Sequence, residues 1–98
     1  MGLEIVVPRR SCPLRPVLEA LAAAGLPSAI AMVNGALVPP SAPPPAEWAE
    51  VRLRTPAGMI TLRRQPDGIA VVVFGNADAA LQAAQRQVAD AVRAADAS

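Results

Sequence analysis

Few side chains in this sequence could act as general acids, bases or nucleophiles. The chain has no histidine, lysine or tyrosine, which leaves eight carboxylates and one thiol, Cys12, for such roles. A Ser–His or Cys–His pair therefore cannot form within this chain. We accordingly expect a protein that is not an enzyme and that binds no cofactor.

Metal-ligating residues are equally sparse. Without histidine and with a single cysteine, only a site built from carboxylate oxygens remains open. The acidic residues are dispersed, and none of them follows the spacing of a calcium-binding loop. Glu47 and Glu50 form the closest acidic pair outside the last predicted helix. The sequence therefore predicts no metal site.

Cys12 precedes Pro13 at the predicted start of a helix, where two interpretations are open. The positive end of the helix dipole, together with Arg9, Arg10 and Arg15, would lower the pKa of the thiol and make it reactive. Alternatively, Cys12 is a small, half-buried structural residue. The second interpretation is favoured because the chain has no second cysteine to resolve an oxidised thiol. A single cysteine and the absence of a signal-peptide pattern also predict a cytoplasmic protein.

The basic residues are all arginine, and the formal net charge is only +1. So small a charge gives no strong long-range attraction to nucleic acid or to a membrane. Locally, Arg52, Arg54, Arg63 and Arg64 fall on neighbouring predicted strands and form a candidate anion-binding set. Sheets that bind RNA rely on exposed aromatic side chains for stacking, and only Phe74 could serve here. A solvated face is therefore favoured over a nucleic-acid site.

Residues 50–74 contain three strand-like runs separated by two turns. Residues 55–58 (TPAG) and 65–68 (QPDG) each place proline early in the turn, which fixes φ, and glycine last, which accepts a left-handed conformation. A register with Arg52 opposite Leu62 would bury an unpaired charge. With two-residue loops, antiparallel pairing instead collects six apolar residues on one face: Val51, Leu53, Ile60, Leu62, Val71 and Val73.

The opposite face of this predicted sheet is mixed in character. It pairs Glu50 with Arg63. Its other residues form a candidate interface: Arg52, Arg54, Met59, Thr61, Val72 and Phe74. A solvent-exposed sheet face is normally polar, so clustered apolar residues indicate a partner surface or an internal cover. Both alternatives remain open: a protein partner or second copy, or a cover formed by residues 39–48 with Trp48 on top.

Further strands are predicted on either side of the first helix. Residues 3–8 are a short β-prone run. Residues 28–39 form either a hairpin turning at Asn34–Gly35, which is slightly favoured, or one strand with a bulge at Gly35. The loop that follows, 39–46, is rich in proline and is expected to be stiff and extended.

Two helices are predicted from apolar residues at helical spacing. The first lies within 11–25, begins near Pro16 and buries Val17, Leu18, Leu21 and Ala24. The second is capped by Asn76 or Asp78 and runs to about Ala95. It exposes polar residues such as Gln85 and buries an alanine-rich stripe: Leu81, Ala84, Val88, Ala91, Val92 and Ala95.

These elements predict a two-layer α+β sandwich. An antiparallel sheet of four to six strands would carry two helices on one face, in the order β-α-β(3-5)-α. A chain of 98 residues is long enough for one such domain, spanning 1–98 with 96–98 as a frayed tail.

The function that fits these patterns best is that of a non-catalytic accessory or regulatory protein. We expect it to act through protein–protein contacts and to self-associate through the mixed sheet face. Two alternatives remain: a module that binds an anion or nucleic acid through the arginine-bearing face, and a subunit of a larger enzyme. Neither a membrane nor a metal is expected as a partner.

Overall fold

The computed structural model describes residues 3–9, 12–39, 41–75 and 77–95. These residues form β1 (Leu3–Val7), α1 (Leu14–Ala23), β2 (Ala29–Val33), β3 (Ala36–Leu37), β4 (Glu50–Thr55), β5 (Gly58–Gln65), β6 (Gly68–Val73) and α2 (Ala79–Ala94). The predicted α+β class is confirmed: a six-stranded antiparallel sheet carries two helices, in the order β-α-β(5)-α. The expected tail at 96–98, the alternative cap Asn76 and Arg10 lie outside the described residues.

The strands lie in the order β1-β6-β5-β4-β2-β3, and each pairs antiparallel with its neighbours. The register predicted for the central strands is confirmed. Val51 pairs with Leu62, and Leu62 pairs with Val71. On the opposite face Glu50 pairs with Arg63. The two turns with proline early and glycine last therefore fix which residues of the sheet face the helices.

Residues 29–37 form the hairpin that the sequence slightly favours. Asn34 and Gly35 both have positive φ angles, of 50° and 83°, as a two-residue type I′ turn requires. The Asn34 side chain also accepts hydrogen bonds from the backbone N–H groups of Ala49 and Glu50, at 2.8 and 3.0 Å. This turn is thereby held against the start of β4.

A bulge in β2 decides which of its side chains face the helices. Ile30 and Met32 are two residues apart and would share one face of a regular strand. The pairing with β4 shifts between them, so Ile30 lies opposite Leu53 and Met32 lies opposite Arg52. Ile30 packs against the core, whereas Met32 is turned to the other face.

α1 begins at Leu14, two residues before the predicted start at Pro16. Pro16 still lies in the first turn, where its missing N–H has no intrahelical partner to lose. The helix buries Leu14, Val17 and Leu21. Ala24 was predicted to be part of this stripe, but it is exposed because it is the C-cap, beyond the last helical turn.

The end of α1 is a Schellman motif. The backbone N–H of Leu26 donates to the carbonyl of Leu21 at 2.8 Å, and that of Gly25 donates to the carbonyl of Ala22 at 3.2 Å. Gly25 has a φ of 85°, which glycine adopts without a steric penalty. The helix therefore stops at the glycine, as the sequence predicts.

α2 is tied down at both ends. The Asp78 carboxylate caps its start by accepting a hydrogen bond from the backbone N–H of Leu81 at 2.8 Å. At its other end the Arg9 guanidinium donates to the carbonyl oxygens of Val92, at 2.8 Å, and of Ala95. Of the predicted stripe, Leu81 is partly buried against the core. Its other members are buried: Ala84, Val88, Ala91, Val92 and Ala95.

Gln85 was predicted to lie on the surface of α2, and this prediction is wrong. The residue is only 3% exposed. Its side-chain Nε2 donates to the carbonyl oxygens of Leu3, at 3.1 Å, and Val71, at 2.9 Å. A polar side chain can be buried when its hydrogen-bonding groups are satisfied. Gln85 thus joins α2 to both β1 and β6.

Both helices pack on the sheet face that carries the predicted apolar set. At one end of this layer, β6 passes very close to β1. Gly68 has a φ of 151°, and a Cβ atom there would lie 2.2 Å from the carbonyl oxygen of Val7. Only a residue without a side chain allows this approach.

Candidate interaction surface

The sheet face away from the helices, called here the outer face, is the candidate functional surface. Its residues follow from the registers: Glu4, Val6, Met32, Leu37, Glu50, Arg52, Arg54, Met59, Thr61, Arg63, Ala70, Val72 and, directly after β6, Phe74. All six residues predicted for the interface therefore belong to one face of the sheet.

Small side chains occupy the centre of the outer face. Thr61, Ala70 and Val72 lie on β5 and β6 and are almost completely buried. The helices do not provide this shielding, since they pack on the opposite side of the sheet. The longer side chains around this centre project further from the sheet, so a partner bound to the outer face would contact mainly them.

Large apolar side chains of the outer face are open to solvent. Phe74 is 54% exposed and Met59 is 39% exposed, and Val6 and Leu37 are exposed as well. Thr61 pairs with Val72, so continuing this register sets Met59 beside Phe74. Apolar clusters of this kind are unusual on a sheet face that stays in water.

The four arginines predicted as one anion-binding set do not form a single patch. Arg52 and Arg54 alternate along β4 on the outer face. Arg63 shares that face, but its Nε contacts the carboxylate of Glu50 at 3.3 Å. Arg64 lies on the other face, where its Nη1 donates to the backbone carbonyl of Trp48 at 3.3 Å. Grouping Arg64 with the others was therefore wrong.

The proline-rich loop does not cover the outer face. Trp48 is buried in the core on the helix side, and its indole N–H donates to the carbonyl of Cys12 at 3.4 Å. Ala42 and Pro44 of the loop lie beside Leu18 of α1, again on the helix side. The alternative in which this segment shields Val72 and Phe74 is therefore wrong.

Cys12 does not have the electrostatic environment of a reactive thiol. Burial raises the pKa of the thiol above its usual value of 9.0, and the positive charge of Arg9 opposes this rise only in part. The lowered pKa that the reactive-thiol interpretation requires is therefore not found. The side chain lies in the core beside the start of α1.

A groove lies between α1, β2 and the proline-rich loop. Its volume is about 350 Å³, and apolar residues such as Leu18, Ile30 and Pro44 line it together with Arg15 and Glu19. The spacing of Arg15 and Glu19 places both on one side of α1. No signal in the sequence reveals the groove, because it depends on the path of the loop across the sheet edge.

Among the described residues, no cluster of acidic or cysteine side chains is arranged to hold a metal ion. Neither helix in the described ranges combines the length and apolar character needed to cross a bilayer. Comparisons with protein-family models, with curated proteins and with solved structures find no match to this chain. The proposed function therefore rests on the geometry and charge of the outer face.

Proposed function

We propose that this chain is a non-catalytic accessory or regulatory protein that works by self-association through its outer face. The observation that carries the proposal is the exposure of Phe74 and Met59, side by side on a sheet face that no described loop covers. We further place the protein in the cytoplasm, because its one cysteine is a buried free thiol.

The energetics favour a partner on this face. Full burial of a large apolar side chain contributes about 1.5–3 kcal/mol relative to full exposure. Phe74 is about half exposed, so covering it would contribute roughly 1 kcal/mol per copy. The same face carries Arg52 and Arg54, which would lie toward the border of a contact centred on β5 and β6. Aromatic, methionine and arginine side chains are the types enriched in protein interfaces.

The proposal is tested by Phe74→Glu. Placing a carboxylate in the apolar contact should weaken self-association by at least about tenfold, while the fold persists because Phe74 lies outside the core cluster. Ala83→Glu is the matched control, since Ala83 is exposed on α2, on the helix side of the molecule. Sedimentation equilibrium gives the association constant, and circular dichroism checks the fold. Equal weakening by both variants would contradict the proposal.

A second candidate is anion binding by Arg52 and Arg54. The supporting observation is that both side chains lie on the outer face and have no ion-pair partner among the described residues. Binding through them would weaken steeply as salt is raised. Titration with a fluorescent single-stranded oligonucleotide at two salt concentrations tests it. Absence of salt-dependent binding, or unchanged binding by Arg52→Gln with Arg54→Gln, would exclude this function.

A further inference from the structure

Two opposite charges on the outer face stand at the same height but three strands apart. Arg52 lies on β4 and Glu4 on β1, with β5 and β6 between them. The registers run from Arg52 to Thr61, from Thr61 to Val72 and from Val72 to Glu4. Three strand spacings amount to about 14 Å, so the two side chains cannot pair within one copy. Neither has an ion-pair partner among the described residues.

We propose that two copies stack their outer faces about a two-fold axis that runs parallel to the strands, between β5 and β6. Such an axis sets β4 of one copy over β1 of the other, and β5 over β6. Because the axis is parallel to the strands, each residue keeps its position along the strand direction after the rotation. Arg52 of each copy therefore lies over Glu4 of the other. This geometry rests on the proposed self-association and specifies it.

The same axis places like surfaces in contact at the centre of the interface. Met59 of one copy faces Phe74 of the other, and Thr61 faces Val72. The small, buried residues on β5 and β6 allow the two sheets to approach closely between these longer side chains. Arg63 lies on β5 over Ala70 of the other copy, with its charge paired to Glu50 of its own copy. The unpaired charges of Arg52, Arg54 and Glu4 lie on β4 and β1, at the border of the contact, as in most protein interfaces.

Axes perpendicular to the strands fit the charges less well. Such an axis sets every strand over its own copy. Through the row of Arg52 it places Arg52 over Arg52 and Glu4 over Glu4. Displaced toward Glu50, it places Arg52 over Glu50, which already pairs with Arg63, and it leaves Glu4 over Val6 without a charged partner. Like charges placed opposite one another are destabilising. An axis parallel to the strands avoids this conflict, provided that it does not lie at β4.

Other positions of a parallel axis are also less favourable. On β4, or between β4 and β5, it gathers Arg52 and Arg54 of both copies at the centre without carboxylate partners for them. Such burial of unpaired guanidinium groups is costly. On β5 it stacks Arg63 on its own copy and leaves Glu4 over Met32. On β6 it reduces the overlap to three strands, because β1 is the sheet edge.

The overlap of four strands predicts a weak dimer. Four strands at about 4.8 Å spacing and six residues at about 3.4 Å rise give a flat footprint of roughly 400 Å² per copy. Stable interfaces commonly bury about 800 Å² per partner. Association should therefore be measured at high protein concentration, and at low salt, where the border charges are least screened.

Charge reversal tests the position of the axis. We expect Glu4→Arg and Arg52→Glu each to weaken dimerisation on the order of tenfold, because each variant creates two repulsive pairs per dimer. The double variant Glu4→Arg with Arg52→Glu should restore wild-type association. Glu4→Arg with Arg54→Glu is the mismatched control and should not. Leu37→Glu should have no effect, since β3 lies outside the four-strand overlap.

Each outcome of these sedimentation measurements decides a question. Restoration by the matched double variant alone supports the proposed axis. Dimerisation that depends on Phe74 but is not restored by the double variant overturns the axis and leaves the proposed self-association intact. Dissociation by Leu37→Glu overturns the axis as well, because it places β3 in the contact. A wild-type protein that stays monomeric overturns both.

Discussion

Replacing Gly68 by alanine is expected to destabilise the fold strongly. Gly68 has a φ of 151°, and an added Cβ would lie 2.2 Å from the carbonyl oxygen of Val7 and 2.9 Å from its carbonyl carbon. Contacts of Cβ atoms below 3.0 Å are essentially never observed. The backbone of Val7 must therefore move away, and that carbonyl also accepts a hydrogen bond from the backbone N–H of Arg9 at 2.8 Å.

Two effects add to the cost of Gly68→Ala. The unfavourable backbone conformation costs about 1–3 kcal/mol. The clash with rigid backbone loosens the pairing of β1 with β6, at a further cost of about 1–3 kcal/mol, as for other forced overpacking. A domain of this size is stable by only about 5–15 kcal/mol in total. We therefore expect Gly68→Ala to lower the free energy of unfolding by about 2–6 kcal/mol, the sum of the two effects and a large part of the total.

Gly35→Ala separates the two effects. Gly35 also has a positive φ, of 83°, but nothing lies within 4 Å of an added Cβ. It should therefore show only the backbone cost, about 1 kcal/mol. Urea denaturation followed by circular dichroism gives both free energies of unfolding. Equal losses from the two substitutions would refute the argued close approach of β6 to β1.

Three further predictions concern the helix side of the molecule. Gln85→Leu should lower the free energy of unfolding by about 1–3 kcal/mol in urea denaturation, because the carbonyls of Leu3 and Val71 lose a buried donor; no loss would contradict its role as a tie. Asp78→Ala should lower the free energy of unfolding by about 1 kcal/mol in the same assay, because it removes the cap of α2. Asp78→Asn should retain most of the stabilisation, since the asparagine side chain also accepts this hydrogen bond. The raised pKa of Cys12 keeps its thiol protonated in the folded state after the unfolded thiol has begun to ionise, so stability should fall as the pH rises above 9.0. Cys12→Ala should lack this component in urea denaturation at a series of pH values, and an identical pH dependence would contradict it.

The central sheet could be predicted from the sequence because its signals are local. The Pro-Asp-Gly and Pro-Ala-Gly turns fix the loop lengths, and alternation then allows one register that buries no arginine. Asn34–Gly35 likewise predicts its hairpin, since few other residue pairs accept two positive φ angles.

Most of the wrong predictions concern side chains whose positions depend on residues that are distant in the sequence. Gln85 is buried because two carbonyls of the sheet lie beneath α2, and the spacing of residues within a helix cannot show them. Trp48 lies in the core because the proline-rich loop runs along the helix side of the sheet. The proline content of the loop predicts that it is extended, but not which side of the sheet it follows. The position of Arg64 could have been predicted from the sequence. Successive side chains of a strand point to opposite faces, so Arg64 lies on the face opposite to that of Arg63.

The candidate surface was predicted in part. The alternation that places Met59 and Phe74 on the outer face is present in the sequence. Their exposure is not, because it depends on where the loop over residues 39–48 lies. The relative position of Glu4 and Arg52 also depends on the pairing of β1 with β6, which brings together the first and the last strand of the chain.

The average mass of the wild-type protein in solution is the decisive test of self-association through the outer face. The chain mass is 10.1 kDa. We predict that sedimentation equilibrium at low salt, over concentrations up to about 1 mM, gives an average mass that rises toward twice this value. An average mass that stays at 10.1 kDa across the whole range would contradict the claim.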